Sequence, residues 1–228
     1  MNFHIITLFP ESFSSYLNES ILARAIKNKK IKVSFYNPRD FVTGKYRKVW
    51  PDGGVMAQVD DRPYGGGPGM VLRAEPVLKA VAKAVGKRKA KVIILSPSGK
   101  QFNNTIAEKL KNQKDIVIIC GRYEGIDARV KKILKATLST KALASVEEYS
   151  VGPYVLTGGE LPAMIMIDSI SRRISGVLNK SESLEENRIS TSEVYTRPEI
   201  LVYKGKRYKV PKVLLSGHRA KIDKWKKR

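Results

Sequence analysis

Cysteine is almost absent from this chain of 228 residues, in which Cys120 is the only example. A single cysteine excludes the intramolecular disulfide framework of small secreted domains and fits a reducing compartment. No apolar run approaches the length of a membrane-spanning helix. The first ten residues, MNFHIITLFP, carry neither the basic region nor the cleavage site of a signal peptide and indicate a first strand. These absences predict a soluble, cytoplasmic protein.

Signatures of the common metal, triad and nucleotide sites are missing as well. The chain has two histidines, His4 and His218, and no histidine or cysteine spacing that suits a metal ion. A Ser-His-acid triad would depend on one of these two, and His4 lies in the predicted first strand, where a structural role is more common. Neither a Walker A sequence nor a dinucleotide-binding GxGxxG sequence is present. We therefore predict no metal-ligand cluster and no nucleotide site of these common kinds.

Acidic residues are scarce relative to basic ones, since 43 Lys and Arg against 21 Asp and Glu give a formal net charge of +22. Such an excess attracts polyanions at long range, although a uniformly lysine-rich surface would give the same total. Residues 201–228 hold eleven Lys or Arg and one acid, Asp223, with Tyr203, Tyr208 and Trp225 interleaved. Cations for phosphates and rings for stacking are typical of a nucleic-acid-binding surface. This composition favours a nucleic-acid partner without distinguishing RNA from DNA.

Strands and helices alternate along most of the chain. Short, continuous apolar runs predict strands at residues 2–9, 32–36, 91–95, 115–120 and 142–146. Apolar residues at helical spacing predict helices at residues 10–27, 75–85, 104–111, 126–134 and 161–173. Continuously apolar strands separated by helices are typical of an α/β domain whose largely parallel sheet is covered on both faces.

The composition changes near residue 179, which divides the chain into parts. We predict an α/β domain over residues 1–178, a flexible linker over 179–194 with few large apolar groups, and a small basic unit over 195–228. The last stretch, 217–228, predicts one short helix that could not fold alone.

Glycine-rich turns follow the predicted strands. LSPSGK (95–100) and CGRYEGID (120–127) come directly after two buried strands, SVGPYVLTGGE (150–160) follows a third, and DDRPYGGGPGM (60–70) lies upstream. Ligands bind outside the carboxyl ends of strands in an open α/β sheet, and glycine lets backbone groups approach them. One such loop is commonly only a tight turn, whereas several at consecutive strand ends favour a shared ligand site. The third turn has no lysine, which favours a neutral or cationic ligand over a polyphosphate.

Six segments occur here in one order: DDRPYGGGPGM, LSP-x-G, CGRYEGID-x-R, YVLTGGELPAM, IDS-x-SR and YTRPE. Together they strongly resemble the bacterial tRNA (guanine-N1)-methyltransferase family, from Ile5 to about Trp225. The resemblance implies an enzyme that methylates N1 of guanosine 37, beside the anticodon of tRNA, with S-adenosylmethionine as the methyl donor. It also implies a SPOUT-class α/β fold, in which a trefoil-knotted catalytic domain with a largely parallel sheet precedes a small C-terminal unit, helical and basic, that binds tRNA and that is truncated in this chain. Because knots are nearly absent from proteins, periodicity alone does not predict one.

The resemblance assigns S-adenosylmethionine to the glycine-rich turns. Carried over residue by residue, the cofactor-binding positions are Leu95, Ser96, Pro97, Gly121, Tyr123, Glu124, Ser150, Val151, Gly152, Tyr154, Leu156, Gly158, Gly159 and Pro162. The family works as a homodimer in which the partner chain completes each active site. The apolar run AMIMI (163–167) suits burial in a core or in such an interface.

Guanine N1 carries a proton at neutral pH, so methylation requires a base, and a carboxylate is the expected one. A cation near O6 would stabilise the negative charge that develops, and the resemblance implies Arg172 for this role. The family's base is an aspartate in the linker, and counting from residues 176–178 places Asn187 at its position. An amide cannot accept the proton, so we predict that the adjacent Glu186 replaces it. The alternative is a knotted tRNA-binding protein with weak or lost catalysis.

The chain departs from the family pattern at other places. Residues 49–58 resemble an insertion, Pro153 replaces an acid, and His218-Arg219 replaces an Asn-His pair. The chain ends soon after Trp225, so tRNA affinity is expected to rest more on the lysines of residues 204–228. The family suggests a Mg²⁺ requirement, for which no ligand set is visible in this sequence. A third, generic reading is an unrelated α/β nucleotide-binding enzyme.

Overall fold

Five parallel strands form the central sheet in a computed structural model that describes residues 1–140, 144–178 and 193–227. In chain order, the strands are β1 Asn2–Ile6, β2 Lys32–Tyr36, β3 Arg47–Val49, β4 Val55–Ala57, β5 Asp60–Asp61, β6 Val71–Leu72, β7 Ala90–Gln101, β8 Asp115–Ile119, β9 Ala144–Ser150, β10 Ile200–Tyr203 and β11 Lys206–Lys209. The central sheet has the order β2-β1-β8-β7-β9, and each neighbouring pair is parallel. The predicted parallel sheet is confirmed.

Helices cover both faces of this sheet. They are α1 Ser14–Leu17, α2 Ser20–Lys27, α3 Ala74–Val85, α4 Asn104–Leu110, α5 Arg129–Thr140, α6 Glu160–Ser171, α7 Lys212–Leu215 and α8 Arg219–Lys226. Successive side chains of a strand point to opposite faces, so each face has its own core. On β8, Ile116 and Ile118 join the core closed by α2, α4 and α6. The neighbouring Val117 and Ile119 join the core closed by α3 and α5.

The helix predicted over residues 10–27 is wrong as a single element. A 3-10 turn at Pro10–Phe13 leads into α1, and α2 begins only at Ser20. Glu19 has an extended backbone and Ser20 a left-handed one, with φ at 49°. Neither conformation continues an α-helix, so the hydrogen-bond ladder is interrupted there.

The helix predicted from residue 126 begins three residues later, at Arg129 in α5. Ile126 instead forms an isolated parallel β-bridge with Leu72, and the N–H of Asp127 donates to the Leu72 carbonyl over 3.0 Å. The Asp127 carboxylate then accepts the Arg129 N–H over 2.9 Å, which caps the new helix. A tertiary contact with the segment after the glycine-rich loop therefore sets the start of α5.

The chain divides into two compact units, Met1–Leu178 and Asn179–Arg228. In the second unit, β10 and β11 form an antiparallel hairpin that the sequence reading missed. Lys204 and Gly205 make its turn with φ of 49° and 73°, as a two-residue hairpin turn requires. Helix α8 confirms the short helix predicted near the end. Most of the predicted linker, residues 179–192, lies outside the described residues. Within the described ranges, no helix is long and apolar enough to span a bilayer.

Candidate active site

A cavity of about 390 Å³ lies where the chain leaves β8 and β9, beside the middle of β7. It is lined by residues 94–97 of β7, residues 121–126 after β8, residues 148–151 and 154–159 at and after the end of β9, and Pro162 of α6. All the residues that the resemblance implied for the cofactor lie in its wall except Gly152: Leu95, Ser96, Pro97, Gly121, Tyr123, Glu124, Ser150, Val151, Tyr154, Leu156, Gly158, Gly159 and Pro162. Three of the glycine-rich segments, LSPSGK, CGRYEGID and SVGPYVLTGGE, thus meet at one cavity as expected. The first of them is part of β7 and not a turn, and no residue of the segment 60–70 lines the described wall.

Gly152 lies beside the cavity wall and supports it. Its carbonyl accepts a hydrogen bond from the Ser150 hydroxyl over 2.8 Å. A side-chain carbon at Gly152 would fall 2.1 Å from the ring of Tyr154. The Tyr154 ring thus packs directly on the bare Gly152 backbone and forms part of the wall.

Gly159 lets two segments of the chain cross in close contact. A side-chain carbon at this position would lie 2.6 Å from the Cα atom of Cys120 and 2.9 Å from the Gly121 nitrogen. The N–H of Gly159 donates to the Gly121 carbonyl over 2.9 Å, and the backbone of Gly158 forms an isolated antiparallel β-bridge with that of Arg122. Close approach of backbone to backbone explains Gly159, whereas a side-chain carbon at Gly158 would fall 2.4 Å from Nε of the Arg122 side chain.

A charged network that sequence reasoning missed lies at this crossing. Glu160 is only 3% exposed, and its Oε2 atom is 2.9 Å from Nε of Arg122. These two atoms are not aligned for a hydrogen bond, so charge attraction holds the pair. The Thr7 hydroxyl donates to Oε1 of Glu160 over 2.7 Å. The Arg122 guanidinium lies 4.5 Å from the ring centroid of Phe9 and donates to the Thr157 carbonyl.

The signal for this network was present in the sequence as two charged residues beside glycines. Arg122 stands in CGRYEGID and Glu160 in TGGELPAM, each next to a predicted buried segment. Charged side chains are rarely buried unless they are paired, so two such residues are candidates for each other. Local spacing alone does not indicate which of the chain's many cations and acids will meet.

Cys120, which precedes Gly121 of the cavity wall, is a buried free cysteine. Burial, followed by the negative charge of Glu160, raises the pKa of the Cys120 thiol well above its usual value. The thiol therefore stays protonated at neutral pH, and the thiolate that would react is not formed.

The glycine-rich loop at residues 60–70 contacts the segment of the cavity wall that follows β8. Its last residue, Met70, accepts a hydrogen bond from the Glu124 N–H over 3.0 Å. The Leu72 N–H donates to the Gly125 carbonyl over 2.9 Å. Burial and the nearby Asp60 carboxylate raise the pKa of Tyr123, whose ring lines the cavity. This loop thus braces the segment that carries Tyr123 and Glu124.

Arg172, one of the two predicted catalytic residues, is not part of the described cavity wall of its own chain. Arg172 follows the last residue of α6, and its N–H donates to the Asp168 carbonyl over 3.0 Å. Pro162, which lines the cavity, is ten residues earlier, so about 15 Å of helix axis separates them at 1.5 Å per residue. Glu186 and Asn187 lie outside the described residues.

One face of α6 is exposed and ends at Arg172. Leu161 and Ile165 are 56% and 44% exposed, and Asp168 and Arg172 follow on the same stripe. The Tyr16 hydroxyl donates a hydrogen bond to the Asp168 carboxylate, which raises the pKa of Tyr16. The apolar run AMIMI is therefore only partly a core segment, because Ile165 points away from the core that holds Met166 and Ile167.

A metal site is not evident in the parts of the chain that the structure describes. There, no three histidine, cysteine, aspartate or glutamate side chains are grouped in a way that could hold an ion. The carboxylates of the cavity wall include Glu148, which pairs with Lys131.

Comparison with known proteins agrees with this geometry. The family model described as "tRNA (Guanine-1)-methyltransferase TrmD" matches residues 1–228. A tRNA (guanine-N(1)-)-methyltransferase of Clostridioides difficile (strain 630) is 44% identical over 234 residues, covering 100% of this chain and 91% of that protein. The enzyme of the same name from Buchnera aphidicola subsp. Acyrthosiphon pisum is 45% identical, with 98% of this chain and 87% of that protein covered.

A third relative carries the same name and comes from Pseudoalteromonas atlantica. It is 42% identical over 230 residues, covering 98% of this chain and 78% of that protein. The resemblance seen in the six sequence segments is thus confirmed, and with it the SPOUT-type α/β fold. The chain belongs to the tRNA (guanine-1)-methyltransferase TrmD family.

Proposed function

We propose that this chain transfers a methyl group from S-adenosylmethionine to N1 of guanosine 37 in tRNA. One observation carries the proposal: the residues implied for the cofactor, which are spread from Leu95 to Pro162, all line a single cavity except Gly152. The relatives' names, tRNA (guanine-N(1)-)-methyltransferase, support the reaction class. A tRNA substrate also favours a cytoplasmic location.

The chemistry of the cavity fits S-adenosylmethionine. Its volume of about 390 Å³ lies within the usual range for small-molecule pockets. Its wall offers backbone groups and the apolar side chains of Leu95, Leu156 and Pro162, which suit an adenine ring. Among the described residues no lysine lines it, and the cation of its wall, Arg122, is paired with Glu160. The carboxylate of Glu124 suits the positive groups of the methionine part.

When bound, S-adenosylmethionine supplies a methyl group made electrophilic by its sulfonium centre. The chain's own residues must act on the guanine. A carboxylate has to accept the N1 proton so that N1 carries a free electron pair, and we assign this step to Glu186. A guanidinium beside O6 stabilises the charge left on the base, and we assign this step to Arg172.

We further propose that the active form is a homodimer in which Arg172 acts at the partner's cavity. Arg172 is about 15 Å of helix axis away from Pro162 of its own cavity, estimated from the helical rise. The exposed stripe that holds Leu161 and Ile165 leads to Arg172. A second copy packed on this stripe would bury the two apolar side chains and bring in the missing cation. Such a self-complementary contact is the common arrangement in dimers.

The basic C-terminal unit, residues 195–228, is proposed to bind the tRNA. Its hairpin exposes Tyr203 and Tyr208, and Lys204 lies 5.6 Å from the ring centroid of Tyr203. Helix α8 adds Arg219, Lys221, Lys224 and Lys226 against the single acid Asp223. Rings beside cations suit single-stranded nucleotides and phosphates.

A second candidate is a tRNA-binding protein of the same fold without turnover. Asn187 favours it, because it stands where the family has its aspartate base. One assay separates the two. The purified chain is incubated with S-adenosylmethionine carrying a labelled methyl group and with tRNA transcripts that have guanosine or adenosine at position 37. We expect N1-methylguanosine only in the first transcript. Tight tRNA binding without product at high enzyme concentration would favour the binding protein.

The third alternative, a generic α/β nucleotide-binding enzyme, can be tested by calorimetry. It would bind ATP or NAD and give no heat with S-adenosylmethionine. The described cavity wall contains no lysine, so the phosphates of ATP or NAD would find no free cation there. We therefore expect heat with S-adenosylmethionine and none with ATP or NAD.

A further inference from the structure

Residues 47–57 form an exposed antiparallel hairpin, here named the rim hairpin. It consists of β3, a turn at residues 50–54 and β4, with Arg47 opposite Ala57 and Val49 opposite Val55. Most of it is the segment that departs from the family pattern as an insertion. Val49 is 64% and Trp50 52% exposed, although apolar groups of this size are usually buried. The cofactor cavity uses none of these residues.

The tip of the rim hairpin is a closed turn that holds Trp50 in place. The Trp50 N–H donates to the Gly54 carbonyl over 2.8 Å, and the Gly53 N–H donates to the Trp50 carbonyl over 2.9 Å. The Asp52 carboxylate accepts the Gly54 N–H over 2.9 Å. With its backbone fixed in this way, the indole is presented to solvent at little cost in conformational entropy.

The base of the rim hairpin is joined to the cavity wall. The Gln58 N–H donates to the Tyr46 carbonyl, and the Arg73 guanidinium stacks 3.4 Å from the Tyr46 ring centroid. Arg73 also donates to the Gln58 carbonyl over 2.9 Å. The preceding residue, Leu72, donates to the Gly125 carbonyl in the cavity wall. The rim hairpin is thus a braced arm beside the cavity.

Positive charge surrounds the exposed apolar groups of this arm. Lys45, Arg47 and Lys48 are all exposed. Across the described part of the chain, no carboxylate lies within salt-bridge distance of these three side chains, which differs from the paired Arg122. The one acid of the hairpin, Asp52, is used by its own turn.

We propose that the rim hairpin is an RNA-contacting arm, on which Trp50 stacks against an unpaired base of the tRNA while Arg47 and Lys48 neutralise phosphates. This inference rests on the proposed function, since the target nucleotide must enter the cavity beside which the arm stands. Aromatic rings interleaved with unpaired cations suit single-stranded RNA. A second protein chain is a poorer fit, because the cores of protein interfaces are depleted in lysine.

Three variants test the arm: Trp50→Ala, Trp50→Phe, and Arg47→Ala with Lys48→Ala. The charge-matched control is Lys87→Ala with Lys89→Ala, two exposed cations that precede β7, at the end of that strand away from the cavity. Affinity for the guanosine-37 transcript is measured at several salt concentrations, and affinity for S-adenosylmethionine by calorimetry. Trp50→Ala should weaken tRNA binding about 5- to 100-fold, as the loss of one stacked base does. Trp50→Phe should retain most of the affinity.

The double variant Arg47→Ala with Lys48→Ala should lower the slope of log affinity against log salt by about 0.7 for each phosphate that is no longer neutralised. Cofactor affinity should stay that of the parent in all variants. If the parent methylates tRNA but Trp50→Ala and the double variant bind tRNA as the parent does, this inference alone is overturned. A parent that binds no tRNA overturns the proposed function as well. A change of oligomeric state in sedimentation, with unchanged tRNA affinity, makes the arm a protein interface and also overturns the inference.

Discussion

Arg122 and Glu160 form a largely buried ion pair, with 2.9 Å between Nε and Oε2, that joins the turn after β8 to the first residue of α6. Both segments contribute to the cavity wall. The pair therefore links the two parts of the chain that cross at Gly159. Its position explains why a cation lines a cavity that otherwise suits a positively charged cofactor: the charge of Arg122 is already neutralised.

Replacing Arg122 by Met should destabilise the protein by about 3 kcal/mol, because Glu160 would keep its buried charge without a cation. The double change of Arg122→Met with Glu160→Gln should cost less than the sum of the single changes, since it leaves no unpaired charge. Denaturant unfolding of the four proteins measures this coupling. As a control, Lys79→Ala removes the exposed pair with Glu75 and should leave the midpoint nearly unchanged. Additive effects of Arg122→Met and Glu160→Gln would contradict the buried pair.

Gly159→Ala should destabilise the fold, whereas Gly121→Ala should be tolerated. The added carbon at Gly159 meets the Cα atom of Cys120 at 2.6 Å, and backbone cannot move aside as a side chain can. At Gly121 the nearest atom is a side-chain carbon of Ile126 at 3.6 Å, an ordinary contact. Overpacking of this kind costs about 1–3 kcal/mol or more. Thermal unfolding of both variants measures the difference. Equal melting temperatures would mean that the Gly159 backbone is not in close contact with the backbone of Cys120.

The strands and the position of the site could be predicted from sequence, while the ion pair between Arg122 and Glu160 could not. Residues 115–119 are apolar almost throughout because both faces of β8 are covered, and a continuous run is readable as a buried strand. Turns after such strands must share one edge of the sheet, which brings Leu95 and Gly121 together. The extension of β7 to Gln101 was missed because its sequence is polar and only its partner β9 makes it a strand.

The separation of Arg172 from the cavity was also beyond sequence reasoning. The resemblance implied a catalytic role for Arg172 but not its distance from the turns of its own chain, and α6 carries Arg172 away from Pro162. Similarly, the start of α5 depends on the Leu72–Ile126 bridge, and the pairing of Arg122 with Glu160 depends on the crossing at Gly159. Each of these features is fixed by contacts between segments that are distant in the chain, which local patterns do not encode.

Arg172→Ala should lower kcat by about 100-fold or more, as the loss of a group that stabilises developing charge does. The dissociation constant for S-adenosylmethionine should not change, because Arg172 is absent from the described cavity wall of its own chain. Single-turnover rates at saturating tRNA, combined with calorimetry, separate the two quantities. Weaker cofactor binding with an unchanged rate would reverse the assigned role.

Glu186→Gln should lower the rate about 100- to 10,000-fold, the usual range for the loss of a general base. The adjacent Glu185→Gln is the matched control, since it removes the same charge one residue away and should retain nearly the full rate. The rate of the parent should rise with pH until the base is fully ionised, and this rise should disappear in Glu186→Gln. If both variants turn over at the parent's rate, Glu186 is not the base.

Two inactive variants should restore activity to each other when their chains are mixed and allowed to exchange. Arg172→Ala keeps its cavity, whereas Leu156→Arg places a second cation in the cavity wall and should exclude the sulfonium cofactor. In a mixed dimer, the cavity of the first chain meets Arg172 of the second, so one of the two sites is complete. Methyl incorporation into tRNA after exchange measures the recovery. A mixture of Arg172→Ala with Arg172→Gln should remain inactive, and lack of recovery in the first mixture would indicate that each chain uses its own Arg172.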